Sequence, residues 1–163
     1  MNICFFEDSK FDHFYPLALT RPVYDLRTGC FTMAERIIRH IPKAKYYYHA
    51  RKYIQPLIKQ DKRALYTSLP KSASCLFING RLMPTKTLIK KLTSLQQNTI
   101  IKYKGAIVAA HISPDKFDRL TFTDAFTIKS QRSLKNIKLT SVLIDYIWDM
   151  IHHNGKHIAI DAT

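Results

Sequence analysis

The chain has 163 residues, enough for one domain with a real core, because a domain of roughly 150 residues buries about two-thirds of its unfolded surface. Hydrophobic residues at 46% and charged residues at 23% are ordinary globular values and exclude wholesale disorder, and no apolar run approaches the ~20 residues of a membrane span. Twenty-six Lys and Arg against 12 Asp and Glu leave a net charge of +14, which favours an anionic partner.

The first element, NICFFE (residues 2 to 7), is a short apolar run of β-formers and predicts a buried strand. It has no basic region before it, so it does not read as a signal peptide. Residues 8 to 29 lack clean periodicity and contain Pro16, Pro22 and several turn formers. A loop of this length ahead of the first helix is usually functional. Thr32-Met33-Ala34-Glu35 has capping-box spacing and predicts a helix to about Ile41, ended by Pro42.

AKYYYHA predicts a second strand, and residues 52 to 60 a short helix weakened by Pro56. Cys75 to Ile78 predicts the next strand, turned by Asn79-Gly80. TKTLIKKLTSL sets Leu88, Ile89, Leu92 and Leu95 at helical spacing. Thr99–Tyr103 and Ala106–His111 predict a hairpin around Lys104-Gly105, and residues 114 to 119 a turn of helix. Residues 139 to 152 predict a last amphipathic helix burying Val142, Ile147, Met150 and Ile151. The ending GKHIAIDAT alternates as a strand in need of a partner, which gives the chain an unfinished look. Strands alternating with helices predict an α/β fold with a mostly parallel, Rossmann-like sheet, in one unit over residues 1 to 163.

The three cysteines, Cys4, Cys30 and Cys75, are widely spaced and odd in number, which predicts reduced thiols in a cytoplasmic protein. The basic stretches Arg36 to Arg63 and Arg81 to Lys104, with the aromatic-basic string YYYHARKY, raise nucleic acid as a partner. The reading preferred is a lysine-rich surface over a buried tyrosine strand, without nucleic-acid function. Asp145, Asp149 and His153 fall at four-residue spacing and read as solvated helix charge in preference to metal ligands.

Only four glycines are present, Gly29, Gly80, Gly105 and Gly155, which excludes a clustered-glycine dinucleotide loop or P-loop; no G-x-S-x-G elbow occurs. What remains is LALTRPVYDLRTG, residues 17 to 29, with Arg21 and Arg27 on the loop after the first strand. Arginine's planar fork grips phosphate, and in open α/β sheets ligands bind beyond the carboxyl ends of strands. Two arginines that tie down the loop, paired with Asp25 or Asp8, are the equal alternative.

PLALTRPVYDLRTGCFTMAERI (residues 16 to 37) resembles a segment of the sugar-phosphate nucleotidyltransferases, and CLFINGRLMP (75 to 84) resembles their NGD strand end. WDMIHHNGKHI (148 to 158) is similar to a divergent branch related to the N-terminal half of bifunctional UDP-N-acetylglucosamine pyrophosphorylase/glucosamine-1-phosphate acetyltransferase. The resemblance implies a nucleotide-diphospho-sugar transferase type of sheet, in an incomplete version because such chains continue further. It also implies attack of a sugar 1-phosphate on the α-phosphate of a nucleoside triphosphate, assisted by Mg²⁺. Carried over residue by residue, Arg21 and Arg27 become the catalytic candidates. Asp8, Thr20, Arg21, Arg27, Gly29, Asn79, Gly80 and Arg81 become the nucleotide- or substrate-binding candidates. The pattern departs in three places: FEDSKFDHF replaces the glycine-rich loop, Val23 stands for the expected lysine, and Arg81 replaces the metal-binding aspartate. A non-catalytic module that binds a nucleotide, or docks other subunits, is therefore the alternative. Partners expected are a nucleotide or sugar phosphate, with self-association left open and no membrane.

Overall fold

The strand Asn2–Phe6 (β1) has apolar side chains on both faces, the pattern of a strand covered on two sides. The computed structural model describes residues 1–138 and 143–162. In it, β1 lies between Lys45–Tyr48 (β4) and Cys75–Asn79 (β5), parallel to both, with Ile3 level with Tyr46 and Leu76. Thr99–Tyr103 (β6) and Ala106–Ile112 (β7) form the hairpin expected around Lys104-Gly105, and β7 runs antiparallel to β5. Lys135–Lys138 (β10) pairs in parallel with β6 and completes the order β10-β6-β7-β5-β1-β4. One antiparallel strand thus interrupts a mostly parallel sheet. Two short ribbons stand apart, Arg27–Thr28 with Phe31–Thr32 (β2, β3) and Leu120–Phe122 with Phe126–Ile128 (β8, β9).

Alternation along β1 divides the core. Ile3 and Phe5 join Tyr48, Leu76 and Ile78 beneath the helices Met33–His40 (α1), Gln55–Gln60 (α2) and Lys86–Thr93 (α3). Cys4 and Phe6 face the other way, against Phe77, Ala110 and Phe126 of the β8–β9 ribbon. Both halves of the α1 capping box are present: Glu35 N–H donates to Thr32 Oγ1 at 3.1 Å and Thr32 N–H to Glu35 Oε2 at 2.7 Å. Pro56 sits in the first turn of α2, where its missing N–H costs nothing.

The C-terminal expectation needs correction. The last helix is Ile147–Asp161 (α4), not 139 to 152, and residues 155 to 161 of the ending run in that helix instead of forming a strand. Residues 139 to 142, Val142 among them, lie outside the described residues. Met150 is buried as expected, but Ile151 is 70% exposed. The physical reason is that α4 docks through polar groups, Asn154, His157 and Asp161, at helical spacing. Ile147 and Met150 mark the docking face correctly and Ile151 lies off it, while the short alternation of Ile158, Ala159 and Ile160 fits either period. Asp145 precedes α4 and does not share a helical face with Asp149 and His153. No described helix is long and apolar enough to cross a membrane.

A third cluster packs the long loop itself. Phe14, Ala18, Val23 and Leu26 are buried against Met33, Met83, Ile144 and Met150. Residues 8 to 26 are thus a folded part of the structure, with short 3₁₀ turns at Phe11–Phe14 and Val23–Asp25.

Candidate functional site

Parallel neighbours leave β1 on both sides, so the chain order reverses at β1 and β5, where α/β sheets open a crevice beyond the strand ends. Glu7 and Asp8 follow β1 there, and Gly80 and Arg81 follow β5. Asn79 Nδ2–H donates to Asp8 Oδ2 and to Ile107 O, both at 2.8 Å, and Asn79 Oδ1 accepts from Arg81 N at 2.9 Å. Arg81, 1% exposed, donates Nε to Asp8 Oδ1 at 2.9 Å and Nη2 to Asp8 Oδ2 at 2.6 Å. Its Nη1 reaches Ile144 O at 2.6 Å and Asp145 Oδ1 at 2.8 Å. Lys10 Nζ donates to the same Asp145 oxygen at 3.0 Å. Burial alone would raise the Asp145 carboxyl, but Lys10 and Arg81 hold it below its ordinary value. A Cβ at Gly80 would lie 3.1 Å from Tyr24 N and Cβ, so the chain packs tightly there.

Glu7 turns inward. Its buried carboxylate accepts from Val23 N at 2.9 Å and Arg51 N at 3.2 Å, with Arg51 Nε 3.6 Å away. Burial pushes this carboxyl up to about 7, against the pull of Arg51 and the two backbone N–H groups. Arg51 in turn donates Nη2 to Ala18 O at 2.6 Å and Arg21 O at 3.2 Å, and its guanidinium lies 4.6 Å from the Phe11 ring centroid. Glu7 and Arg51 together pin the loop that stands where the resemblance has glycines.

The three candidate arginines do not converge. Arg21 is exposed and, with Thr20, borders a cavity of about 260 Å³ that also meets Asp25 and Arg63. The pair expected for Asp25 forms with Arg63, at 2.9 and 2.7 Å, not with Arg21 or Arg27. Arg27 is exposed too; it donates to Cys30 O and lies 3.7 Å from Glu35. Arg81 alone borders the cleft at the strand ends, about 380 Å³, together with Asp8, Lys10, Lys104, Ile107 and Gln131. Lys10, Arg51, Lys104 and Asp145 were not singled out for this site by their sequence context. The one available signal was their position, since Lys10 follows the first strand and Lys104 tips the predicted hairpin.

Magnesium is a poor match for this arrangement. Both oxygens of Asp8 accept from Arg81, and Asp145 accepts from Arg81 and Lys10, so a divalent ion would meet a buried guanidinium where it needs free carboxylate. Among the described residues no three His, Cys, Asp or Glu side chains are grouped to hold a metal ion.

Gly29 belongs to a different device. The β2–β3 ribbon is clasped by α4: Thr28 Oγ1 and His157 Nδ1 are 2.8 Å apart, Gly29 N donates to Asn154 Oδ1 at 2.7 Å, and Cys30 N donates to Asp161 Oδ2 at 2.8 Å. Arg36 closes the clasp through Asp161 at 2.6 and 2.7 Å, and these bonds hold the Asp161 carboxyl low. Two of the three strings that carry the resemblance, the one containing LRTG and WDMIHHNGKHI, therefore interlock in the structure.

A mostly parallel six-stranded sheet with helices over one face and a charged crevice at the strand ends defines a nucleotidyltransferase-like α/β protein. A family model for sugar nucleotidyl transferases matches residues 3–163, and the chain belongs to that family. Among solved structures, a Bacillus anthracis protein assigned as a glucose-1-phosphate thymidylyltransferase superposes with a TM-score of 0.55. The superposition covers 96% of this chain and 94% of that one at 8% identity, a likeness of fold. No curated protein matches the sequence.

Proposed function

We propose that the cleft at the ends of β1 and β5 binds the phosphate portion of a nucleotide or sugar nucleotide, and that it does so without a metal ion held by the protein. The observation that carries this is the Asp8–Arg81–Asp145 network. It places an internal cation at the crevice, with Lys104 at the rim to meet phosphate and Lys10 beside it, paired to Asp145. Thermal shift with nucleoside triphosphates, nucleotide sugars and sugar 1-phosphates, in EDTA and again in Mg²⁺, tests it. Equal stabilisation in both buffers is expected. Stabilisation only with Mg²⁺, or none across the panel, overturns it.

Family membership favours a second reading, in which a sugar 1-phosphate attacks the α-phosphate of a nucleoside triphosphate and pyrophosphate leaves. Pyrophosphate release that requires both substrates would establish this activity. Its absence over a broad panel leaves binding as the function.

A further inference from the structure

A second cavity, about 530 Å³, shares no wall with the strand-end cleft. It opens between α1, the β5–α3 loop and α4, and its volume suits a small organic ligand. Phe31, Met83, Pro84, Ile89 and Ile160 supply an apolar body. Its charge is one-sided: Arg39, Lys86 and Lys156 border it, and the one acid on its wall, Asp161, is already consumed by Arg36 and the Cys30 N–H. No described carboxylate forms an ion pair with Arg39, Lys86 or Lys156.

A further observation concerns the cations themselves. The Arg39 guanidinium lies 4.1 Å from the Phe31 ring centroid, so a cation stands directly on the apolar wall.

We infer that this cavity is a second binding site for an organic monophosphate, its apolar body between Phe31, Met83 and Ile89 and its dianionic head among Arg39, Lys86 and Lys156. Three dispersed cations match a multiply charged head better than a single carboxylate. The site is independent of the strand-end cleft and does not need that proposal to hold.

Calorimetric titration of the full chain with phenyl phosphate, benzoate and inorganic phosphate tests it. Phenyl phosphate is expected to bind with a Kd on the order of 0.1–1 mM, and the other two about tenfold more weakly, because each lacks half of the recognised chemistry. Arg39→Gln/Lys156→Gln, both at exposed positions, should weaken phenyl phosphate about tenfold, whereas Lys10→Gln/Lys104→Gln should leave it unchanged. No binding up to about 10 mM, equal binding of inorganic phosphate, or loss in the Lys10/Lys104 variant instead overturns the inference.

Discussion

Gly29 donates its backbone N–H to Asn154 Oδ1 at 2.7 Å, across 125 residues of sequence, from a backbone held at φ +67°. A Cβ at this position would lie 2.5 Å from Asp161 Oδ2 and 2.9 Å from the His157 carbonyl carbon. Gly29→Ala therefore combines left-handed strain with a backbone clash and should cost about 3 kcal/mol or more. Asn154→Ala removes one exposed hydrogen bond and should cost about 1 kcal/mol. Urea denaturation separates these two magnitudes, and a Gly29→Ala variant as stable as the parent would refute the clasp.

Arg81 lies between two carboxylates, so removing it strands negative charge. Arg81→Met should destabilise by about 3–5 kcal/mol, because Asp8 and Asp145 lose their common counter-ion in a site where Arg81 is fully buried. The double variant Arg81→Met/Asp8→Asn should be more stable than Arg81→Met alone. Chemical denaturation of both variants reads the difference, and equal stabilities would mean that charge is not what Arg81 supplies.

Two buried groups give stability opposing pH slopes. Glu7, with its folded pKa raised from 4.5 to about 7, binds protons more tightly when folded, so its contribution is full below 4.5 and is lost as pH rises to about 7. His49 is buried; its Nε2–H donates to Thr123 O at 2.8 Å, and burial lowers it from 6.5 to about 4. Its contribution is full above 6.5 and is lost as pH falls toward 4. Each slope is on the order of 3 kcal/mol, and together they nearly cancel between pH 4.5 and 6.5. Glu7→Gln should expose the His49 slope, with stability rising by about that amount over this window. Urea midpoints at pH 4.5, 5.5 and 6.5 check it; identical slopes in parent and variant would sink the assignment.

Under the proposed binding mode, Lys104→Gln should weaken nucleotide binding about three- to tenfold through the loss of a rim cation. Arg27→Gln should leave binding unchanged and cost at most about 1 kcal/mol of stability, since its pair with Glu35 is exposed at 3.7 Å. Titration of a bound nucleotide against both variants distinguishes them. The reverse ranking would return Arg27 to the site.

Much of the fold was legible in short stretches of sequence. NICFF and CLFIN are apolar runs too short for helices, Thr32 and Glu35 write a capping box, and Lys104-Gly105 marks a hairpin turn with both residues at positive φ. These features are local, set by periodicity, sterics and caps within a few residues. The end of the chain was misread because beyond Ile147 and Met150 the docking face of α4 turns polar, with Asn154, His157 and Asp161, while the apolar Ile151 and Ile158 lie off it. The roles of the arginines depended on tertiary structure for a related reason. Arg81 meets Asp8 across 73 residues and Arg36 meets Asp161 across 125, while Arg51 takes carbonyls at Ala18 and Arg21. A guanidinium looks the same in sequence whether it faces solvent or a carboxylate. The sequence by itself determined that cations gather around the loop after the first strand and at the end of β5; only the packed chain decided which of them are already neutralised, because charge pairing is a property of distance in space.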